Sequence, residues 1–411
     1  MPRSGTKLPK SEATRLRLID CAVAEIVESG PDRLGFTAIA RRAGMSTGAL
    51  YARYENSDEL LLEVWLNRAL PVLRELLNDL GEAVDKESGV AARLRIAQRL
   101  TVPDPELLLL ANLLIVGRRN ETLNEVIAPS FVDAMKKAAG QVPGLEIFFG
   151  VVLGIVLGSA GVGFIGLDWS GPVALTAKSV AGIPAHGGHR TDPDPEPETF
   201  FRPIDADEVE QRLFDAVAAV IAKVGVDRAT VSRIARTADI NPASIYLRYE
   251  DKDALFRSAV VHVMRMGSAN NKSLVEKYKQ QSRADQGGSE GAVAMFRGNA
   301  SKGYESIRRL RLETMLAATH DPDLRRATNA IYLEAIAETE ESVGAVKGSL
   351  TGGDGLPFIT FSRFSFFGYA TLCEYGLIDV DYPHFEAFAA NIGRTMMKMY
   401  ASSPNVTIPG K

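Results

Sequence analysis

Along most of this 411-residue chain, apolar residues recur every three to four positions, the spacing that lines one face of a helix. Leu18, Ala22 and Ile26 mark such a face between Ser11 and Ser29, and Gly30 closes it. Ile39, Ala40 and Ala43 predict a second, shorter helix, ended by Gly44, which takes positive φ at no steric cost. Ser46 stands at the N-cap of a third, Ser46–Tyr54, in which Leu50 and Tyr54 fall four apart and face inward. That register leaves Thr47, Gly48, Ala49, Ala52 and Arg53 outside. A long helix runs from Asp58 towards Leu80, and Val90–Leu100, Pro105–Arg118 and Thr122–Ala139 repeat the helical period, broken by Pro103-Asp104-Pro105 and by Gly140. The pattern predicts an all-α fold.

The same pattern returns. Ile234–Leu255 matches Ile39–Leu60 without a gap at an offset of 195. Ile39, Ala40, Arg41, Ala43, Tyr51, Arg53, Tyr54, Glu55, Asp58 and Leu60 all have identical partners there. A helix over Asp207–Val224 precedes this second copy, Thr230 occupies the cap position held by Gly35 in the first, and Asn241 with Pro242 opens the helix Asn241–Tyr249. Its outward positions are Pro242, Ala243, Ser244 and Leu247. Asp239 replaces the turn glycine and tolerates a left-handed backbone less well, so this turn is expected to be the poorer of the two. Beyond it come a long helix past Met264, a polar break at Ser282–Gly291 and three helical segments. Within them Asp321-Pro-Asp-Leu324 answers Asn120-Glu-Thr-Leu123. Helices over Phe358–Tyr375 and His384–Ala401 close the copy. The whole unit is duplicated.

Two segments depart from amphipathic periodicity. Ile147–Leu167 carries no charge, has six glycines (150, 154, 158, 161, 163 and 166), and is long enough to cross a membrane. Its counterpart at an offset of 210 places Arg363 and Glu374 where Leu153 and Phe164 stand, substitutions a membrane span resists. A helix buried on every side is the better account, with glycines permitting close approach. Pro184–Pro203, with His186, His189 and a run of Asp-Pro and Glu-Pro, has no apolar period and reads as an extended linker of about 60 Å reach at about 3.1 Å per residue. Its two histidines lack further ligands, so no metal site is expected.

Composition adds little and excludes some classes. A net charge of −4 argues against a protein that coats nucleic acid generally. It leaves room for a local basic patch, and Arg3, Lys7, Lys10, Arg15 and Arg17 face only Glu12 at the start. Cys21 and Cys373 sit in apolar helical contexts as small buried hydrophobes of a reducing compartment, and no secretory signal follows the basic start, so a cytoplasmic location is expected. With no phosphate-binding loop, nucleophile elbow or paired metal-ligand motif, neither enzyme activity nor a cofactor is expected.

Ile39-Ala-x-x-Ala-Gly-x-Ser-x-Gly-x-Leu-Tyr-x-x-Tyr54, followed by x-Ser-Asp-Glu-Leu60, resembles the DNA-binding domain of the TetR family of bacterial transcription regulators. So does Ile234-Ala-x-x-Ala-x-x-Asn-x-x-x-Ile-Tyr-x-x-Tyr249 with x-Lys-Asp-x-Leu255. The resemblance implies heads at 1–60 and 204–256, helical regulatory bodies at 61–183 and 257–411, and the linker at 184–203 between them. It implies a helix-turn-helix whose second helix enters the major groove of double-stranded DNA. The residues it assigns to DNA are Ser46, Thr47, Gly48, Ala49, Tyr51 and Arg53 in copy one. In copy two they are Thr230, Asn241, Pro242, Ser244, Tyr246, Arg248 and Lys252. Tyr51 and Tyr246 are expected at phosphates, and Lys252 matches the family's phosphate-binding lysine, replaced by Ser57 in copy one. Family members usually pair as homodimers. Here one chain supplies both heads, implying an intramolecular pseudo-dimer, alone or paired again, on an operator with two non-identical half-sites. A repressor released by a small-molecule effector is the expected function, with Arg363, Glu374 and Asn112 as candidate polar groups of an effector pocket. The aromatic set around Phe358–Tyr369 is expected to be core. The alternative is a ligand-binding or scaffolding module whose heads, one or both, are degenerate: Gly35 is a weaker cap, Ser57 replaces lysine, and Asp239 replaces glycine.

Overall fold

The computed structural model describes residues 10–185, 207–281, 287–343 and 355–401, and among them every regular element is helical. The first repeat runs α1 (Lys10–Ser29), α2 (Phe36–Ala43), α3 (Thr47–Tyr51) and α4 (Ser57–Val64), then through a π-turn at Trp65–Ala69 into α5 (Leu70–Val84). It continues with α6 (Val90–Thr101), α7 (Pro105–Arg119), α8 (Glu121–Ala139), α9 (Leu145–Val162) and α10 (Ser170–Ala181). The second repeat has the same order: α11 (Glu208–Val224), α12 (Val231–Ala238), α13 (Pro242–Tyr246), α14 (Lys252–Gln281), α15 (Gly287–Ala300), α16 (Glu305–Ala318), α17 (Pro322–Val343), α18 (Gly355–Glu374) and α19 (His384–Ala401). The long α14 takes the place of α4 and α5 together. Most of the expected linker, with His186 and His189, and the basic residues Arg3 and Lys7 lie outside the described residues.

Local chemistry sets the helix starts. Asn120 Oδ1 accepts the Leu123 amide at 3.1 Å, and Asp321 Oδ1 accepts that of Leu324 at 3.1 Å, so α8 and α17 begin with equivalent caps. A cap of this kind contributes about 1 kcal/mol. Once capped, the helices bury their apolar stripes in a common interior. One contiguous core joins Leu18, Trp65 and Phe131 of the first repeat to Phe296, Phe364 and Phe388 of the second. A second core holds the second head together around Leu213, Ile234, Ile245 and Leu255.

The repeats meet twin to twin, α9 against α18 and α10 against α19. The glycine stripe of α9 is the reason α9 and α18 approach so closely. A Cβ on Gly154 would stand 2.2 Å from the Phe364 carbonyl oxygen, and one on Gly158 2.3 Å from the Phe364 ring. From the other side, a Cβ on Gly368 would stand 1.7 Å from the Gly150 carbonyl oxygen. α9 is long and apolar enough to cross a membrane, with mean hydropathy 2.2, yet 94% of it is buried in the fold. It is also shorter than its sequence suggests. The uncharged run to Leu167 does not stay helical, because Gly163 and Gly166 adopt φ of 81° and 85° and turn the chain after Val162.

Candidate nucleic-acid interface

Each head is a compact trihelical unit whose third helix is held from beneath by its apolar residues. Leu50 is fully buried and Tyr54 nearly so; Ile245 is buried and Tyr249 half-buried in the second head. The recognition helices are shorter than the sequence pattern suggests, α3 spanning Thr47–Tyr51 and α13 Pro242–Tyr246, with the residues after them in turns. Ser46 accepts the Ala49 amide at 3.3 Å and Asn241 the Ala243 amide at 2.9 Å, so both capping side chains serve their own helices. Thr230 does the same for α12, its hydroxyl accepting the Arg233 amide at 3.3 Å, whereas Gly35 offers α2 no side-chain cap.

The expected defect at Asp239 does not arise. Asp239 adopts φ 54°, ψ 49°, the same left-handed conformation as Gly44 at φ 62°, ψ 37°. Its amide caps Ala235 and Arg236 as that of Gly44 caps Ala40 and Arg41. Aspartate is among the few non-glycine residues that visit this region as single residues, which is why the turn survives the substitution.

What remains outside forms two similar faces. Tyr51 is 64% and Tyr246 57% exposed, and Tyr51 is braced by the edge of Phe36 at 4.9 Å between ring centroids. Gly48, Ala52 and Arg53 are exposed, with Thr47 and Ala49 half-buried. In the second head Pro242, Leu247 and Arg248 are exposed, and Ser244 is half-buried. Their electrostatics differ. Arg248 donates to Asp207, the cap of α11, at 2.8 Å, and this partner holds the Asp207 carboxyl below the usual carboxylate range. Lys252 Nζ lies 3.5 Å from the Val226 carbonyl, and the residue lines a cavity of about 140 Å³ between the heads. Arg53 is exposed at the equivalent place.

The family profile described as bacterial regulatory proteins, tetR family, matches residues 18–64 and 213–259. Two TetR-family domains stand in tandem in this chain. They overlap the two trihelical heads described above and run on into the helix that follows each. The probable acrEF/envCD operon repressor of Escherichia coli K12 is 37% identical over 75 residues, 18% of this chain and 33% of that protein. The regulator SrpR of Pseudomonas putida is 34% identical over 85 residues, 21% of this chain and 40% of that protein. An uncharacterized HTH-type transcriptional regulator of Mycobacterium bovis is 25% identical over 146 residues, 35% of this chain and 74% of that protein. This chain thus spans about a third of the length of the Escherichia coli relative.

Each candidate effector residue is engaged within the fold. Glu374 is buried and paired with Arg308 at 3.2 Å and Arg309 at 2.6 Å. Arg363 donates to the Ala335 carbonyl at 2.8 Å, tying α18 to α17. Asn112, 2% exposed, donates to Leu108 within its own helix at 2.6 Å, and its Oδ1 is buried without a hydrogen bond. Sequence reasoning overlooked Arg311, which lies 5.4 Å over the Phe367 ring and donates to Asn299 at 3.1 Å, because it looks like one more polar position in an arginine-rich helix. The aromatic set is core, as expected: Phe361, Phe364, Phe367 and Tyr369 are buried.

Proposed function

We propose that this protein is a cytoplasmic, sequence-specific DNA-binding transcriptional regulator whose two heads, carried by one chain, act as an intramolecular pseudo-dimer. The observation that carries the reading is the pair of capped, exposed recognition helices, each presenting Tyr-x-Arg outward from a head packed on a buried apolar core. Two such helices suit half-sites about 34–36 Å apart in successive major grooves. Because Thr47, Gly48, Ala49 and Ala52 face one half-site and Pro242, Ala243, Ser244 and Leu247 the other, the operator is an imperfect palindrome. One relative is named as a repressor, which favours repression, with a small-molecule effector shifting the heads.

A specific observation supports a second reading. Arg248 is engaged by Asp207 and Lys252 by Val226, so the second head grips its own backbone and cap where the first leaves Arg53 outward, as a degenerate head would. Selection of bound sequences from a random duplex library, followed by footprinting, separates the two. A regulator with two working heads protects two unequal half-sites. Tyr51→Ala with Arg53→Ala, and Tyr246→Ala with Arg248→Ala, each then weaken binding and lower the salt dependence by about one unit of slope per lost phosphate contact. Protection of one half-site, insensitive to the second pair, establishes a degenerate second head. Protection of twice the length means that two chains assemble. No enrichment from the library at low salt refutes the regulator.

A further inference from the structure

We propose that the two repeats are cross-latched at the heads, and that this latch sets the distance between the recognition helices and therefore the half-site spacing the protein accepts. The inference rests on the regulator reading above and concerns residues outside its DNA-facing set.

The latch begins as a short repeated motif. Gly30-Pro-Asp-Arg33 and Gly225-Val-Asp-Arg228 stand 195 positions apart, immediately after the first helix of each head. Both glycines have positive φ, 89° and 79°. The two motifs face one another and exchange partners. Arg33 donates from Nε and Nη2 to the two carboxylate oxygens of Asp227, at 3.2 and 3.0 Å. Arg228 Nε lies 3.9 Å from Asp32 Oδ1. Reciprocal contacts of this kind are what a two-fold interface requires, residue i meeting j and j meeting i.

Each body then reaches across to the other repeat's head. Arg119 closes α7 and His320 follows α16; the matching caps Asn120 and Asp321 make them equivalents at an offset of 201. The Arg119 guanidinium lies on Gly225, where a Cβ would stand 2.6 Å away, and the His320 ring lies on Gly30, where a Cβ would stand 3.0 Å away. The side chain of Arg119 is 5% exposed and donates to Asp32, to Glu313 at 2.7 Å and to the Val224 carbonyl at 3.4 Å. It thus joins the first body to both heads and to the second body. His320 Nδ1 meets the Glu28 carbonyl at 3.2 Å, joining the second body to the first head. Glycine is needed at both crossings because a side chain would displace the latching group.

Burial decides which part holds. The Arg33–Asp227 pair is exposed, and pairs of that kind are weak and screened by salt. The side chains of Arg119 and Glu313 are buried and that of Asp32 nearly so, and removal of one member strands charge away from solvent. The buried half therefore fixes the head separation, and the exposed pair tunes it. One base pair inserted between half-sites moves the second by about 3.4 Å and turns it by about 35°, a displacement a rigid latch cannot follow.

The test uses the full-length protein and the duplex selected by it, with the spacer shortened or lengthened by one and two base pairs. Wild type is expected to lose affinity by about tenfold or more at each off-length spacer. Arg33→Asp is expected to flatten that profile while leaving affinity for a single isolated half-site unchanged. Adding Asp227→Arg restores the charge pair and is expected to restore the profile. Arg119→Leu with Glu313→Leu and Asp32→Asn removes the buried link without leaving a charge of that cluster alone, and is expected to flatten the profile further. A head-to-head distance measured between spin labels at Glu55→Cys and Glu250→Cys, with Cys21 and Cys373 changed to alanine, is expected to broaden in the same variants without any DNA. An unchanged distance distribution in both variants overturns the latch, as does a wild-type spacing profile retained in both. Failure of wild type to bind any duplex, with the distance still narrow, refutes the regulator reading instead.

Discussion

The crossing of α9 and α18 makes a sharp quantitative demand. Gly368→Ala adds one methyl group at a point where its carbon would lie 1.7 Å from the Gly150 carbonyl oxygen and 2.5 Å from its carbon. Ordinary contact is about 3.5 Å, so the helices must part by on the order of 1.5–2 Å. A gap of about 0.5–1 Å already forfeits a quarter to a half of each contact's attraction. Phe364, Tyr369 and Leu372, all buried along this seam, would lose contacts together. The expected loss is more than about 3 kcal/mol, above the usual 1–3 kcal/mol of an overpacked core, after the gain of about 1 kcal/mol from replacing a helical glycine. Gly81→Ala supplies the control. Gly81 lies inside α5 with nothing within 4 Å of a Cβ, so only the propensity gain of about 0.5–1 kcal/mol remains. Denaturant unfolding followed by far-UV circular dichroism should place the two midpoints on opposite sides of wild type. A Gly368→Ala protein as stable as Gly81→Ala would refute the close approach of the two repeats.

Two further outcomes follow from the heads. Asp239→Gly should stabilise the second head by up to about 1 kcal/mol by relieving a left-handed residue, read as a raised denaturation midpoint; no gain would mean the carboxylate itself holds the turn. His320 should make the protein acid-sensitive. Burial first, then the nearby charges of Arg33 and Arg325, hold its pKa below the ordinary 6.5, and its Nε2 is buried without a hydrogen-bond partner. A lowered folded-state pKa means the stabilisation is present above about 6.5 and is lost as pH falls below it, by at most about 1.4 kcal/mol per unit. His320→Gln should shrink that loss. Comparing it with wild type isolates His320 from Glu313, whose carboxyl burial raises to about 7 and which acts in the opposite sense. Equal acid slopes in the two proteins would remove His320 from the account.

The heads were legible because their determinants are local. Ser46, Asn241 and Thr230 cap the helices that immediately follow them, Leu50 and Ile245 mark the inward face, and the ungapped repeat at 195 says the same thing twice. The turn at Asp239 was misjudged on the same local grounds, since a residue type states only a preference and the packing of Ile234, Ala235 and Ala238 beneath it holds the backbone in place. Charge in an apolar helix marked Glu374 and Arg363 as special without saying why. Whether such a group faces a ligand or a neutralising arginine depends on α16 and α17, which lie far away in the chain.

The sequence by itself determined the helical period, the caps, the duplication and the two TetR-type heads, because each follows from residues a few positions apart or from a comparison of the chain with itself. Only the tertiary structure decided which helix the glycines of α9 admit, where α9 stops being buried helix, and how the repeats hold one another. Gly-x-Asp-Arg occurs twice in plain sight, yet its meaning rests on Arg119 and His320, which stand 106 and 290 positions from the glycines they cover. Pairings of that range are fixed by how the shared core stacks the helices, and no local pattern records them.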